Sequence, residues 1–241
     1  MIYVTGDLHG HHDMEKLDET HFPEQHLLTK KDYVIVCGDF SLVWSNSEKV
    51  LYWRNWFNSK PFTTLFVDGN HENFDLLNKY EIQNWSGGKV HFISDSIIHL
   101  MRGQIFQIGK YKVFTMGGAT SVDKEYRIPG VTWWEEEQPS ENELIEAREN
   151  LFKCGYEVDY IISHSASNRI ISKMGFAEED TKLVKLFDEI DENVKFKHWY
   201  FGHYHNDKNI DSRHTALYNV VTEITHNGAN VNELASHKKM L

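Results

Sequence analysis

Short apolar runs alternate with polar segments along the chain, and several of the runs have the length of a buried β-strand. Runs rich in β-branched and aromatic residues lie at 2–5, 33–37, 62–67, 158–163 and 196–201. A strand with both faces buried is continuously apolar, whereas a strand with one solvated face alternates. The pattern therefore predicts strands covered on both faces, and a further strand is predicted over 215–221.

Apolar residues at helical spacing predict three amphipathic helices. The first covers 47–58, where Ser47 can cap the helix. The second begins at the capping box Ser140-Glu141-Asn142-Glu143 and runs to about residue 153, and the third covers 181–190. The apolar stripe of the first helix consists of Val50, Trp53, Trp56 and Phe57, and shorter helices are predicted at 13–18 and 74–80.

The region from residue 90 to residue 139 follows a different pattern. Short strand-like runs at 90–93, 97–101, 104–108 and 112–116 are separated by turn residues. They predict an antiparallel meander or hairpins. Residues 119–139 show no period, and a loop of this length within a compact domain is often functional. Together the elements predict one domain over 1–241, an α/β sandwich with helices on its outer faces.

Composition narrows the possible functions. The 241 residues are 40% apolar and 13% aromatic, which is typical of a globular protein. A formal net charge of −11 without a basic run disfavours binding to duplex nucleic acid. A small phosphorylated substrate or a nucleotide is still compatible with this charge, because bound metal ions can reverse the local field.

The sequence also favours a cytoplasmic protein without a membrane segment. No apolar stretch approaches the roughly 20 residues that span a bilayer, and no signal peptide precedes the first polar motif. Cys37 and Cys154 are the two cysteines, and two reduced thiols are expected rather than a disulfide. The oligomeric state is left open.

Five short segments rich in metal-ligand residues come directly after predicted strands. They are Gly6-Asp7-Leu8-His9-Gly10, Gly38-Asp39, Gly69-Asn70-His71-Glu72, Ser163-His164-Ser165 and Gly202-His203-Tyr204-His205. Glycine precedes the ligand in four of them, where a sharp exit from the strand needs a permissive backbone. Carboxylate, amide and imidazole donors suit divalent Mn, Fe, Zn, Ni or Co, and the absence of Cys disfavours structural zinc. Loops at strand ends can bring these donors together, which predicts a two-metal site.

The ordered set Asp-x-His, Gly-Asp, Gly-Asn-His-Glu, His and Gly-His-x-His resembles the motifs of the calcineurin-like metallophosphoesterase family, from residue 5 to residue 205. The resemblance implies two mixed β-sheets packed face to face with helices outside, in four layers. It also implies two divalent metal ions, with Mn as the first expectation. By the same resemblance Asp7, His9 and His205 bind one ion, Asn70, His164 and His203 bind the other, Asp39 bridges both, and His71 lies beside them.

The resemblance further implies an enzyme that hydrolyses a phosphomonoester or a phosphodiester. In this expectation a hydroxide that bridges the two metal ions attacks phosphorus, and His71 is the general acid for the leaving oxygen. One alternative is a nucleotide or nucleic-acid phosphodiesterase or nuclease. Another is a non-catalytic scaffold with the same fold. The complete set of ligand residues favours an enzyme over the scaffold.

The second motif departs from that of the protein Ser/Thr phosphatases, Gly-Asp-x-Val-Asp-Arg-Gly. Here the sequence continues as Phe40-Ser41-Leu42-Val43-Trp44, so the second Asp and the Arg are absent and that subgroup is not expected. Other residues must then orient His71 and bind phosphate. Arg127 in the loop 119–139 is the candidate phosphate contact, because a guanidinium matches phosphate geometry. Further candidates are His11 for substrate binding, and Asp123, Trp133 and Trp134 for a lid or a base-stacking wall.

Overall fold

Two mixed β-sheets form the frame of the protein, and the computed structural model describes residues 1–10 and 13–224. The strands of the first sheet are β1 Ile2–Thr5, β2 Tyr33–Val36, β3 Thr63–Phe66, β4 Ile82–Trp85, β5 Gly88–Ser94, β6 Ile97–Leu100 and β13 Val221–Glu223. Their spatial order is β13-β1-β2-β3-β6-β5-β4. The central β1, β2, β3 and β6 are parallel, and the remaining strands are antiparallel to their neighbours.

The second sheet repeats this plan with parallel strands in its centre. Its strands are β7 Gln104–Ile108, β8 Tyr111–Met116, β9 Tyr160–Ser163, β10 His198–Phe201, β11 Lys208–Asn209 and β12 His214–Ala216. The order is β11-β12-β10-β9-β8-β7, with β8, β9, β10 and β12 parallel. The edge strands β11 and β7 run antiparallel.

An apolar core joins the inner faces of the two sheets. Ile35 and Leu65 of the first sheet belong to the same buried cluster as Tyr160 and Ile162 of the second. Burial of this apolar surface is the main stabilising term of such a core. The second face of each central strand is also covered, as the continuous apolar runs predicted.

Helices cover both outer faces. They are α1 Glu48–Ser59, α2 Phe74–Leu77, α3 Glu141–Lys153, α4 Asn168–Lys173 and α5 Lys182–Asn193. Phe57 and Phe74 pack against the outer face of the first sheet. Leu144, Ile170 and Phe187 pack against that of the second. The arrangement confirms the predicted four-layer α/β sandwich.

The predicted helix starts are confirmed at the level of single hydrogen bonds. The Ser47 side chain accepts from Val50 N–H at the start of α1. At the start of α3, Ser140 and Glu143 make both bonds of a capping box. Such caps satisfy amide groups that the helix itself leaves free.

Two predictions about elements were wrong. The segment 215–221 is not one strand, because β12 and β13 lie in different sheets and a turn separates them. The segment 13–18 forms only a 3₁₀ turn, Met14–Leu17. Of the two alternatives for the runs after residue 90, the hairpins are confirmed, and the two hairpins lie in different sheets. The strands β4 and β11 and the helix α4 were not predicted; β4 lies at a sheet edge and is mostly exposed, so no apolar run marks it.

Both cysteines are free thiols, as predicted, with Cys37 buried and Cys154 only partly buried. Among residues 1–10 and 13–224, no helix combines the length and the apolar character that crossing a membrane requires.

A partly buried ionic network ties the helices α4 and α5 to β12. His214 lies between two carboxylates, with Nδ1 at 2.7 Å from Asp211 Oδ1 and Nε2 at 3.2 Å from Asp191 Oδ1. Arg169 pairs with both carboxylates, and Lys173 pairs with Asp211. Burial raises the pKa of the Asp191 carboxyl, but His214 and Arg169 outweigh this effect and hold the pKa well below its usual range.

We predict that this network stabilises the fold at neutral pH and loses its effect in acid. A carboxyl group with a lowered folded-state pKa stabilises the protein above its unfolded-state pKa of about 4, and the contribution is lost as the pH falls further. Asp191→Asn should lower the free energy of unfolding by roughly 2–3 kcal/mol at pH 7, measured by urea titration. The difference in the free energy of unfolding between Asp191→Asn and wild type should be smaller at pH 3 than at pH 7.

The matched control is Glu157→Gln, which removes one partner of the exposed pair with Lys195. It should change the free energy of unfolding by less than about 1 kcal/mol. A difference for Asp191→Asn that is the same at pH 7 and pH 3 would contradict the prediction.

Candidate active site

The carboxyl ends of the parallel strands of both sheets meet at one edge of the sandwich, and all the predicted ligand segments lie there. Asp7 and His9 follow β1, and Asp39 follows β2. Asn70 and His71 follow β3. From the second sheet come His164 after β9, and His203 and His205 after β10. His11, the other candidate near the first motif, lies outside the described residues.

One group of donors consists of Asp7, His9 and His205. Their potential ligand atoms all lie within 4.8 Å of one another. His205 Nε2 is 3.2 Å from Asp7 Oδ2, and the rings of His9 and His205 have centroids 4.7 Å apart. These are the three residues expected to bind the first metal ion.

The second group lies around His164. Its Nε2 is 3.0 Å from Asn70 Oδ1, and its ring centroid is 5.0 Å from that of His203. Asp39 lies between the two groups, with Oδ2 at 3.2 Å from His9 Nε2 and Oδ1 at 3.5 Å from His164 Nε2. This carboxylate therefore has the position required of a bridging ligand.

The donor set fits two divalent cations. Asp7 and Asp39 are buried, and neither forms an ion pair with a Lys or Arg side chain in the part of the chain that is described. His9 Nε2 is buried and lies 3.2 Å from Asp39 Oδ2 without the geometry of a hydrogen bond. Oxygen and imidazole nitrogen donors without thiolates suit the borderline and hard divalent metals. A buried carboxylate pair of this kind needs positive charge nearby.

The electrostatic field of the site also favours positive charge where the donors converge. Burial lowers the pKa of His9, but its contacts with Asp13, Asp39 and Asp7 outweigh this and raise the pKa to about 10. The pKa of His164 is raised to about 9 against burial, mainly by the charge of Asp39. Burial lowers the pKa of His203 to about 4, which keeps this imidazole neutral. The carboxylates thus attract positive charge to the position where the donors converge.

Glycine is needed before the predicted ligands for two different physical reasons. Gly38 has φ of +106°, a backbone conformation that favours glycine. Gly202 has an ordinary φ, but a Cβ atom there would lie 2.1 Å from Asp7 Oδ1. The predicted need for a permissive backbone is therefore confirmed for Gly38, whereas Gly202 is required for space. Three of the predicted ligands, Asp39, His203 and His205, themselves have positive φ, and such strained residues are typical of functional sites.

Residues outside the motifs hold the ligands in place. Asp13 Oδ2 lies 2.8 Å from His9 Nδ1 and also accepts from the His9 backbone N–H. The Tyr218 ring stacks on His205 with centroids 4.6 Å apart, and its hydroxyl donates to Asp13. An acidic residue four positions after His9 was a signal that sequence reasoning could have used for Asp13. No motif marks Tyr218, which reaches the site from the far end of the chain.

His71 lies beside the ligand groups and is in contact with Arg127. The His71 backbone N–H donates to Asp39 Oδ1 at 2.8 Å. Arg127 Nη1 is 2.9 Å from His71 Nδ1, and Arg127 Nη2 is 3.3 Å from His71 Nε2. The guanidinium is held by a double hydrogen bond to Asp123 at 2.7 and 2.9 Å. Arg127 is thus both an ion-pair partner within the loop and a residue of the site.

The two tryptophans of the loop have other positions. Trp134 is buried in the core of the first sheet, and its Nε1–H donates to Asp75. Neither Trp133 nor Trp134 lines the two cavities next to His71. The prediction of a base-stacking wall was wrong for these residues.

The loop reaches the predicted ligands through Ser121, whose hydroxyl accepts from Asn70 Nδ2. Glu72 accepts from Phe40 N–H behind the site at 2.8 Å.

Comparison with known proteins agrees with this geometry. The family model for calcineurin-like phosphoesterases matches residues 1–207. No curated protein gives a significant match to the chain. The family binds two metal ions and generally hydrolyses phosphoesters, and the His and Asp groups described above are suitable ligands. The chain therefore belongs to the calcineurin-like phosphoesterase family.

Proposed function

We propose that the protein hydrolyses a small phosphomonoester or phosphodiester with two divalent metal ions, Mn first among them. The observation that carries the proposal is the position of Asp39, whose two oxygens face His9 and His164 in different donor groups. A carboxylate in this position can hold two cations at the separation of about 3.5–4 Å that two-metal hydrolysis requires. The acidic surface makes a small phosphorylated substrate or nucleotide a better partner than duplex nucleic acid.

In this proposal Asp7, His9 and His205 hold one ion, and Asn70, His164 and His203 hold the other. The ions, when bound, activate water and neutralise the charge of the phosphate. Asp13 keeps the His9 ring oriented through Nδ1, so that Nε2 faces the site. Such outer contacts fix the ring and the tautomer of a ligating histidine.

His71 is the proposed general acid for the leaving oxygen. Its backbone is tied to Asp39, and its ring lines the cavities next to the ligands. A histidine in this position can donate a proton from a ring nitrogen to the departing oxygen. Arg127 adds guanidinium donors at the same place, where they can bind a phosphate oxygen. In the absence of the second Asp and the Arg of the phosphatase motif, Arg127 and Asp123 orient His71.

The competing hypothesis is a scaffold with the same fold. The ligand set and His71 are complete, which favours an enzyme. The free thiols are consistent with a reducing compartment such as the cytoplasm. A screen of phosphomonoesters against cyclic and linear diesters on Mn-loaded protein separates the substrate classes. Failure of every ester to be hydrolysed would support the scaffold.

We predict that Asp39→Asn and His164→Ala each abolish Mn-dependent hydrolysis. Asp39→Asn removes the negative charge and one of the two bridging oxygens, and His164→Ala removes an imidazole donor, so the loss should exceed about 100-fold in kcat. The measurement is hydrolysis of p-nitrophenyl phosphate and its bis ester, together with metal content by mass spectrometry. The control Asp18→Asn removes an exposed carboxylate that forms an ion pair with His21, away from the site. Activity that survives either ligand change would contradict the two-metal mechanism.

His71→Asn should separate catalysis from metal binding. We expect kcat to fall about 100- to 10,000-fold, the usual contribution of a general acid. The metal content should stay at the wild-type value, because His71 is not among the proposed ligands. A loss of metal in this variant would show that His71 is a ligand instead.

Arg127→Ala should lower kcat/KM roughly 100-fold, as expected for the loss of one strong donor to the reacting group. Arg127→Lys should restore only part of the activity, because it keeps the charge and loses the planar fork. The control Arg148→Ala removes an arginine that pairs with Glu189 on the outer surface. Unchanged kinetics in Arg127→Ala would remove Arg127 from the site.

A further inference from the structure

Two cavities meet at His71 and Arg127, and they have different chemistry. One has a volume of 390 Å³ and includes Leu42, Trp44, Lys49, Val50 and Trp53, which together we name the tryptophan groove. The other has a volume of 560 Å³ and includes Val122, Asp123, Phe176, Glu178 and Glu179, which we name the acidic groove. Both volumes fall within the range of roughly 300–1,000 Å³ that small-molecule sites occupy.

The charges of the two grooves point to different occupants. The cavity of the tryptophan groove is lined by Lys49 and Arg127 and by no carboxylate. The cavity of the acidic groove is lined by Asp39, Asp123, Glu178 and Glu179. In a protein with a formal net charge of −11, a carboxylate-free cavity beside the site is a distinct feature. An electron-rich group attached to a phosphate is therefore attracted to the tryptophan groove.

The two tryptophan side chains of the groove pack against other aromatic rings. Trp53 packs edge-to-face between Tyr52 and Trp56, with ring centroids 5.4 and 5.3 Å away. Trp44 packs edge-to-face on the buried Trp134 at 5.4 Å. Both rings are only partly buried, which leaves surface that a ligand can contact. Fixed aromatic rings of this kind bind flat aromatic groups by stacking.

The groove is also placed correctly for the reaction. His9 and His71 line it together with Arg127, so it begins where the phosphate would bind and continues away from it. A general acid at His71 protonates the oxygen that leaves, and the group attached to that oxygen must lie on the side of His71. The acidic groove also reaches His71, but its carboxylates repel an electron-rich group.

We propose that the tryptophan groove is the leaving-group subsite, and that the leaving group carries a flat aromatic ring that stacks on Trp53 or Trp44. The ring can be the base of a nucleotide or the ring of an aryl ester, which share this chemistry. The inference rests on the proposed phosphoesterase function. In a phosphodiester, the second substituent of phosphorus lies toward the acidic groove.

The test compares substrates that differ only in the aromatic ring. In adenosine 5′-monophosphate and ribose 5-phosphate the leaving oxygen is of the same type, and phenyl phosphate represents the aryl esters. Trp53→Leu keeps an apolar side chain and removes the flat ring. It should raise KM for the aromatic substrates about 5- to 150-fold, as the loss of one stacking partner does, and change KM for ribose 5-phosphate less than about twofold.

Binding provides a second readout that does not depend on turnover. Phenylphosphonate and methylphosphonate carry the same charged group, and calorimetric titration of Mn-loaded protein gives their affinities. Wild type should bind the phenyl compound at least about fivefold more tightly. Trp53→Leu should reduce this ratio to about one, and Trp44→Leu is the second variant. The control Phe152→Leu removes an exposed aromatic ring on α3, away from both grooves, and should keep the ratio. Circular dichroism verifies the fold of each variant.

The outcomes distinguish the subsite from the function. If Trp53→Leu raises KM more for adenosine 5′-monophosphate than for phenyl phosphate, the ring is the base of a nucleotide. The opposite result identifies the ring of an aryl ester. An aromatic preference that both groove variants keep, or that Phe152→Leu loses equally, would overturn the groove assignment while hydrolysis continues. Tight aromatic binding without any hydrolysis by wild type would overturn the proposed function and leave the groove assigned.

Discussion

The structure is organised around two buried carboxylates, Asp7 and Asp39, at the point where the two sheets meet. Both are almost fully shielded from water, and among the described residues neither carboxylate forms an ion pair with a Lys or Arg side chain, although the buried Lys16 ammonium donates to the backbone carbonyl of Asp7. A buried ion without a partner costs several kcal/mol. The site must therefore contain additional positive charge, either as protons on His9 and His164 or as metal cations. This requirement explains why the donors converge from both sheets.

The fold provides that convergence because parallel strands of both sheets end at the same edge. The backbone there is tight: a side chain at Gly202 would collide with Asp7, and the proposed ligands Asp39, His203 and His205 have positive φ. Such conformations cost about 1–3 kcal/mol each and persist only when the surroundings are rigid. The apolar core between the sheets and the capped outer helices provide this rigidity, so core stability and site geometry are coupled.

Local signals predicted a large part of this arrangement. The capping box at Ser140 determined where α3 begins, because those hydrogen bonds form within four residues. The apolar runs identified the central strands, since burial on both faces leaves a continuous pattern. The same reasoning failed for 215–221, where β12 and β13 join different sheets across a short turn. Which sheet a short strand joins depends on long-range pairing, and no local pattern contains that information.

The sequence alone determined the strand–loop–ligand segments and the family, because each motif is short and its donors are chemically distinctive. Only the tertiary structure decided how the active site is completed. It placed Arg127 on His71, Tyr218 on His205, and Asp13 behind His9. It also formed a groove lined by Trp44 and Trp53, whereas helical spacing had placed Trp53 only in the apolar stripe of a helix. These contacts join side chains from separate loops and helices, and their positions follow from the packing of the two sheets rather than from any spacing along the chain.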